Sequence, residues 1–397
     1  MVGHTILSPT TLTLASLVEV APSSWGVPSV EVISDPATFA GMESVWNDTV
    51  ERAGVAHPFL RHEWLCTWWD CFGASRRLHI VVVRSNGRIM AIAPLMWDTT
   101  WMYGVPVRCL RLLQNDHTPR TDIIVAERPE DAYRAIWRSL MNSSETWDVL
   151  QLSQIPSSSP TLSTFLSLAA DEGCKSGIWH SDDSPYLLLD RPWDTYCAGL
   201  KPKLKQNLRN RWSRLEAIGS PILQVIQDRS AVQAASDEAL HLEASGWKYN
   251  AGTAIGSDPW THHFYTRLAT RAAGRGWLRL LFLTVNGRRI ATAYSACYQD
   301  RLMFLKTGYD PEYARYSPFN LLTHAALRDA FATDLAEVDF LGDDEPWKLE
   351  WTKTTRSHDW LFIFRPTLRG QLVHQLKFRL KPALFRLKPA FQRWREA

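Results

Sequence analysis

The sequence predicts an α/β protein of two tandem domains, each built on a mixed central sheet. Two observations carry that reading. The first is a repeat: Leu78–Leu95 reads LHIVVVRSNGRIMAIAPL and Leu278–Ala296 reads LRLLFLTVNGRRIATAYSA. Both are apolar strand, Asn-Gly-Arg, apolar strand. Asn-Gly suits a two-residue hairpin turn, where both positions take positive φ. The second is the run from Arg301 to Leu341. RLMFLKT reads as a strand, Tyr309-Asp310-Pro311 breaks it, Ser317-Pro318 opens a helix, and EVDFL (Glu337–Leu341) is the next strand. Proline at the first helical position loses no hydrogen bond, and serine before it suits the N-cap. Leu321, Leu322, Ala325, Ala326, Ala330 and Phe331 then recur at helical spacing.

The remaining elements follow in order. Helices are predicted at Glu43–Ala53 and Glu63–Phe72, then strands at His79–Val83, Ile89–Leu95, Arg108–Leu113 and Asp122–Val125. Asp131–Met141 is a helix, Trp147–Leu152 a strand, and Ile155–Pro160 a Ser/Pro-rich loop. Lys201–Glu216 is a basic helix with an apolar stripe at Leu200, Leu204, Leu208, Trp212 and Leu215; Ala231–Ser245 is a further helix. The boundaries fall at 1–29 for an N-terminal extension, 30–190 and 191–366 for the two domains, and 367–397 for a basic tail.

Composition sets limits. The chain has 397 residues, 45% hydrophobic and 21% charged, an ordinary globular balance. No apolar run approaches the ~18 residues of a membrane span. The six cysteines form no CxxC pair, and His262-His263 is adjacent rather than at metal-binding spacing. The expectation is reduced thiols and no metal. From Arg365 onward nine Lys or Arg stand against one acid. That tail repeats Phe-Arg-Leu-Lys-Pro-Ala from Phe378 and from Phe385. Interleaved basic and apolar residues suit an anionic bilayer surface, so peripheral inner-membrane contact is expected of a cytoplasmic protein.

Several residues stand out chemically. Lys306 is a charge inside the apolar run RLMFLKTGY, and Asp339 a charge inside EVDFLG. A carboxylate in a central strand needs a partner, which makes Asp339 either cleft-facing or paired with Lys306. Asp344 and Glu345 lie in the turn after that strand, where α/β sheets bind ligands, and suit an ammonium acceptor.

The motif GYD-x-x-Y-x-x-x-SP-x-NLL, then DFLG, then DEPWK, resembles the GNAT-type acyltransferases. Within them it resembles the CelD-type branch of cellulose and exopolysaccharide clusters, related to FemAB-like transferases. LEASGWKYNAGTAI (Leu242–Ile255) and KLKQNLRNRWSRLEAIG (Lys203–Gly219) resemble further segments of that branch. The likeness covers roughly Val30 to Pro366 and implies two GNAT-like domains facing a shared cleft. One departure is plain. The usual pyrophosphate loop is glycine-rich, whereas Arg315-Tyr316-Ser317-Pro318-Phe319-Asn320 has no glycine.

What the resemblance implies is N-acyl transfer from acyl-CoA, such as acetyl-CoA, to a small-molecule or glycan amine. Glu243 and Asp339 are then candidate bases, and Tyr316 the acid for the leaving thiolate. Lys306, Arg315, Ser317, Phe319 and Asn320 are placed at the donor. Trp247, Lys248, Tyr309, Asp344, Glu345 and Lys348 are placed at the acceptor. The alternatives are an aminoacyl-tRNA-dependent FemAB-like transferase, with RNA on the basic helix, and a non-catalytic accessory protein of a polysaccharide synthase.

Overall fold

The computed structural model describes residues 26–245 and 258–380. The N-terminal half runs β1 (Ser29–Ile33), α1 (Pro36–Ala40), α2 (Glu43–Arg52), α3 (His62–Phe72), β2 (Arg77–Ser85), β3 (Arg88–Met102) and β4 (Val105–Leu112). It continues through β5 (Ile124–Val125), α4 (Pro129–Met141), β6 (Val149–Pro156), α5 (Pro160–Asp171) and β7 (Lys175–Leu188). The C-terminal half runs α6 (Trp193–Gly199), α7 (Pro202–Glu216), β8 (Pro221–Ile226), α8 (Arg229–Ala244), α9 (Pro259–Gly274), β9 (Leu278–Val285) and β10 (Arg288–Tyr298). It ends with β11 (Arg301–Tyr309), α10 (Pro318–Phe331), β12 (Glu337–Asp339), β13 (Thr355–Phe364) and α11 (Leu368–Gln375).

The strands form one mixed sheet, ordered β1-β2-β3-β4-β6-β13-β7-β12-β11-β10-β9-β8, with β5 beside β3. Its two wings repeat one another. β2–β3 and β9–β10 are antiparallel hairpins whose turns have φ of 51° and 77° at Asn86-Gly87, and 49° and 79° at Asn286-Gly287. Positive φ at both positions is the conformation that the Asn-Gly pair favours. In each wing the next strand pairs in parallel with the one after its helix, β4 with β6 and β11 with β12. Each of those helices opens on a left-handed residue followed by proline, Arg128-Pro129 and Ser317-Pro318.

The centre of the sheet is a reciprocal exchange. β7, the last strand of the first half, pairs with β12 of the second, and β13, the last long strand of the second, pairs with β6 of the first. β7 and β13 also pair with each other. A cut at residue 190 therefore divides the sequence but not the sheet. The halves also share a core, in which Trp64 of α3 meets Phe264 of α9 edge to face at 5.7 Å.

Two elements depart from expectation. β7 carries Ser, His and Asp along its length and is half-exposed, so its sequence (KSGIWHSDDSPYLL) has no apolar run to mark it. Ser317 stands at the helix start as expected, but with φ 48° and no capping hydrogen bond from its side chain. The left-handed backbone turns its hydroxyl away from the role that residue type suggests.

Candidate active-site cleft

The site arises where two parallel strands part. β11 and β12 pair only over Arg301–Met303 with Glu337–Asp339. Beyond Asp339 the chain turns away through Leu341 and Gly342, both left-handed at φ 54° and 59°. The two strands thus diverge towards their carboxyl ends, where open α/β sheets take ligands. A cavity of about 230 Å³ fills the gap. Phe304, Lys306, Phe340, Glu345 and Tyr265 line it, and the first half contributes His117.

His117 is held by groups far away in sequence. Its Nε2 lies 3.1 Å from Thr261 Oγ1, and Nδ1 lies 3.4 Å from the Tyr265 hydroxyl. The Thr261 hydroxyl already donates to Asp258 Oδ2 at 2.6 Å. It must therefore accept from His117, which places the ring proton on Nε2 and leaves Nδ1 to accept from Tyr265. Burial and the nearby Lys306 charge hold His117 at about 4, so it is neutral at ordinary pH. Burial, Tyr294 and the Glu243 carboxylate push Tyr265 well above the usual phenol range, so it keeps its proton. The Lys306 ammonium lies 5.7 Å from the centre of the Tyr265 ring.

Glu243 sits near the end of α8, 3% exposed. Its backbone lies directly against Gly308 of β11. A Cβ at 308 would stand 2.4 Å from Glu243 Cα and 2.6 Å from Leu242 O. Only glycine lets the helix approach the strand this closely. Gly308→Ala is expected to displace Glu243 and to destabilise the protein by about 1–3 kcal/mol, as overpacking does. A denaturant melt with no midpoint shift would argue against that contact.

The other expected site residues divide. Lys306 and Glu345 line the cavity, as does Lys348. Lys348 is not available as an anion site, however. It is buried, and its ammonium donates to Leu341 O at 2.6 Å and Asp343 O at 2.8 Å and pairs with Glu345 at 2.9 Å. An ammonium has three donors, so Lys348 fastens the turn after β12. Glu345 is the partner in that clasp, and Asp344 is exposed beside it. Asp339 does not pair with Lys306. It accepts from Arg120 Nη2 and Arg356 Nη1, both at 2.8 Å, and from Leu341 N at 2.9 Å.

The α10 start offers less than its position suggests. Pro318 has no N–H, and Asn320 and Leu321 both donate to Ser317 O. Phe319 packs edge to face on Trp347 at 4.9 Å. Arg315 is exposed and donates to the Tyr316 hydroxyl at 2.8 Å; Tyr316 itself is buried. Tyr309 lies across from Ala291, outside the cavity lining. Trp247 and Lys248 lie outside the described residues. His117 and Tyr265 were missed, because each gains its meaning from a partner about 150 residues away.

Behind the cleft lies a buried ionic network. Arg356 also reaches Glu337 at 3.0 Å, and Arg120 Nε donates to His358 Nε2 at 3.0 Å. Burial, then the Arg120 charge, holds His358 at about 4. His117 and His358 thus bind protons more weakly folded than unfolded, where 6.5 is ordinary. The stability they contribute is full above pH 6.5 and falls as pH drops towards 4, on the order of 3 kcal/mol for each. Asp122, pushed up to about 6 by burial, opposes them by a similar amount, and His57, held low by burial, adds to them. The expected net loss from pH 7 to pH 4 is about 3 kcal/mol or more. Urea midpoints at the two pH values measure it, and a midpoint that rises on acidification contradicts it.

Residues 202–349 match the family model described as an acetyltransferase (GNAT) domain. No curated protein matches. Three solved structures resemble the whole fold. FemX aligns with a TM-score of 0.56 and 10% identity over 83% of this chain and 98% of its own. A conserved protein of unknown function from Bacteroides thetaiotaomicron aligns at 0.52 and 12% over 84% and 100%. The C-terminal domain of a putative lysylphosphatidylglycerol synthetase from Agrobacterium fabrum aligns at 0.51 and 13% over 85% and 95%. At such identities the likeness is one of fold. Residues 202–349 thus match a GNAT acetyltransferase domain, and the paired α/β halves around them share the fold of these solved structures.

Proposed function

We propose that the protein transfers an acyl group from acyl-CoA to an amine in the gap between β11 and β12. The observation that carries this reading is the parting of those strands, with the buried Glu243 packed by its backbone against Gly308 of β11. Transfer needs the acceptor as a free amine, and a buried carboxylate is suited to removing its proton. The amine attacks the thioester carbonyl, the C–N bond forms and the C–S bond breaks. Tyr265, which lines the cavity with its proton retained, is placed better than Tyr316 to protonate the leaving thiolate. The acceptor class is an amino sugar or a sugar-linked amine, in making or modifying an exopolysaccharide as in the CelD-type branch. The tail beyond residue 380 lies outside the described residues, and its contact with an anionic membrane face is part of this proposal.

One observation favours a second reading. The α10 start keeps few N–H groups for a pyrophosphate, and a donor such as aminoacyl-tRNA does not require one there. Release of free thiol from acetyl-CoA in the presence of an amine panel separates the two. Amine-dependent thiol release supports the first. Deacylation of aminoacyl-tRNA without thiol release from any acyl-CoA supports the second.

A further inference from the structure

A second concavity lies on the outer face of the C-terminal half, apart from the cleft. It is a groove of about 1150 Å³ between α7, the edge strand β8 and the flank of α10. Its floor is apolar, with Leu208, Leu223, Leu321 and Ala325 as principal contributors, and Trp212 forms one wall. Three cations stand on it: Lys205 and Arg209 from α7, and Arg328 from α10. Asp329 is the one acid among its described lining residues. Among the described residues, no carboxylate pairs with Arg209 or Arg328, while Lys205 donates to Ala198 O at 2.9 Å.

The sequence of α7 explains both properties. Leu204, Leu208 and Leu215 are buried in the core. Packing them inward leaves Lys205 and Arg209 on the flank that borders the groove and Lys203, Arg211 and Arg214 on the opposite flank. The helix carries Glu216 alone against these five cations. β8 closes the other side as an edge strand, paired only with β9 among the described residues, and Ile222 is 59% exposed there. A surface that keeps apolar area open beside unpaired guanidinium groups is matched by a ligand with both characters. The apolar part releases water from the floor, and an anionic head meets the fork of an arginine.

We propose that this groove binds the acyl chain of an anionic amphiphile, a fatty acid, with the chain along Leu208, Leu223 and Leu321 and the carboxylate at Arg209 and Arg328. The groove, about 1150 Å³, exceeds the ~300–1,000 Å³ of usual small-molecule sites and has room for an extended chain. The assignment is independent of acyl transfer in the cleft, because no lining residue is shared between the two cavities.

The test uses the full-length chain and a brominated laurate below its micelle concentration, with tryptophan fluorescence as the readout. Saturable quenching is expected, and Trp212→Phe should remove most of it. Arg209→Glu with Arg328→Glu should weaken binding at least tenfold while the circular dichroism spectrum and melting midpoint stay those of the parent. Unbrominated laurate should compete, and butyrate and a polyglutamate peptide should not. Equal binding of dodecyltrimethylammonium, equal affinity in the charge-reversed variant, or competition by polyglutamate as strong as by laurate would each overturn the proposal.

Discussion

Asp339→Ala is expected to lower stability by about 3–5 kcal/mol, the cost of breaking a buried ion pair on one side. Asp339 is 1% exposed, and the Arg120 side chain beside it 5%. Removing the carboxylate leaves the buried Arg120 guanidinium without its acid, leaves Arg356 to Glu337 alone, and strips an acceptor from the Leu341 N–H. The three partners come from the first half, from the turn after β12 and from β13, so the loss loosens the exchange at the centre of the sheet. Asp339→Asn keeps the shape and should still lose most of the stability, since the charge is what the two arginines require. Urea denaturation of both variants gives the answer. A loss below 1 kcal/mol for Asp339→Ala would mean that the network is not a structural tie.

Glu243→Gln is expected to lower kcat/KM for amine acylation by about 10²–10⁴, the usual contribution of a general base. Glutamine keeps the length and packing of the side chain, so the urea midpoint should stay close to that of the parent. Raising the pH should partly restore the rate, because more of the acceptor then arrives as free amine. A variant with full activity at neutral pH would remove Glu243 from the chemistry and leave Gly308 as a packing feature only.

Local features of the fold were legible, and long-range ones were not. Asn86-Gly87 and Asn286-Gly287 specify their turns within two residues, so both hairpins and the internal repeat could be read directly. Pro318 marked the helix start for an equally local reason. The exchange of β7 and β13 depends on partners in the opposite half, and β7 is too polar to announce itself. At the site, residue type alone did not show which partners each charged group has. Lys348 lines the cavity, yet three nearby oxygens take up its donors. Asp339 required a partner, as a charge in a central strand must, but Arg120 lies 219 residues away and Arg356 lies beyond the next turn. His117 is a plain loop histidine until Thr261 and Tyr265 fix its tautomer.

The most direct measurement is a calorimetric titration of the full-length protein with acetyl-CoA, beside the Lys306→Glu variant. Lys306 lines the cavity where the strands part, and a reversed charge there opposes an anionic donor. Saturable binding to the parent, weakened at least tenfold in the variant, is the result expected of acyl-CoA use in the cleft between β11 and β12. Equal binding to both proteins would place the donor elsewhere, and no heat with the parent would contradict acyl-CoA as the donor.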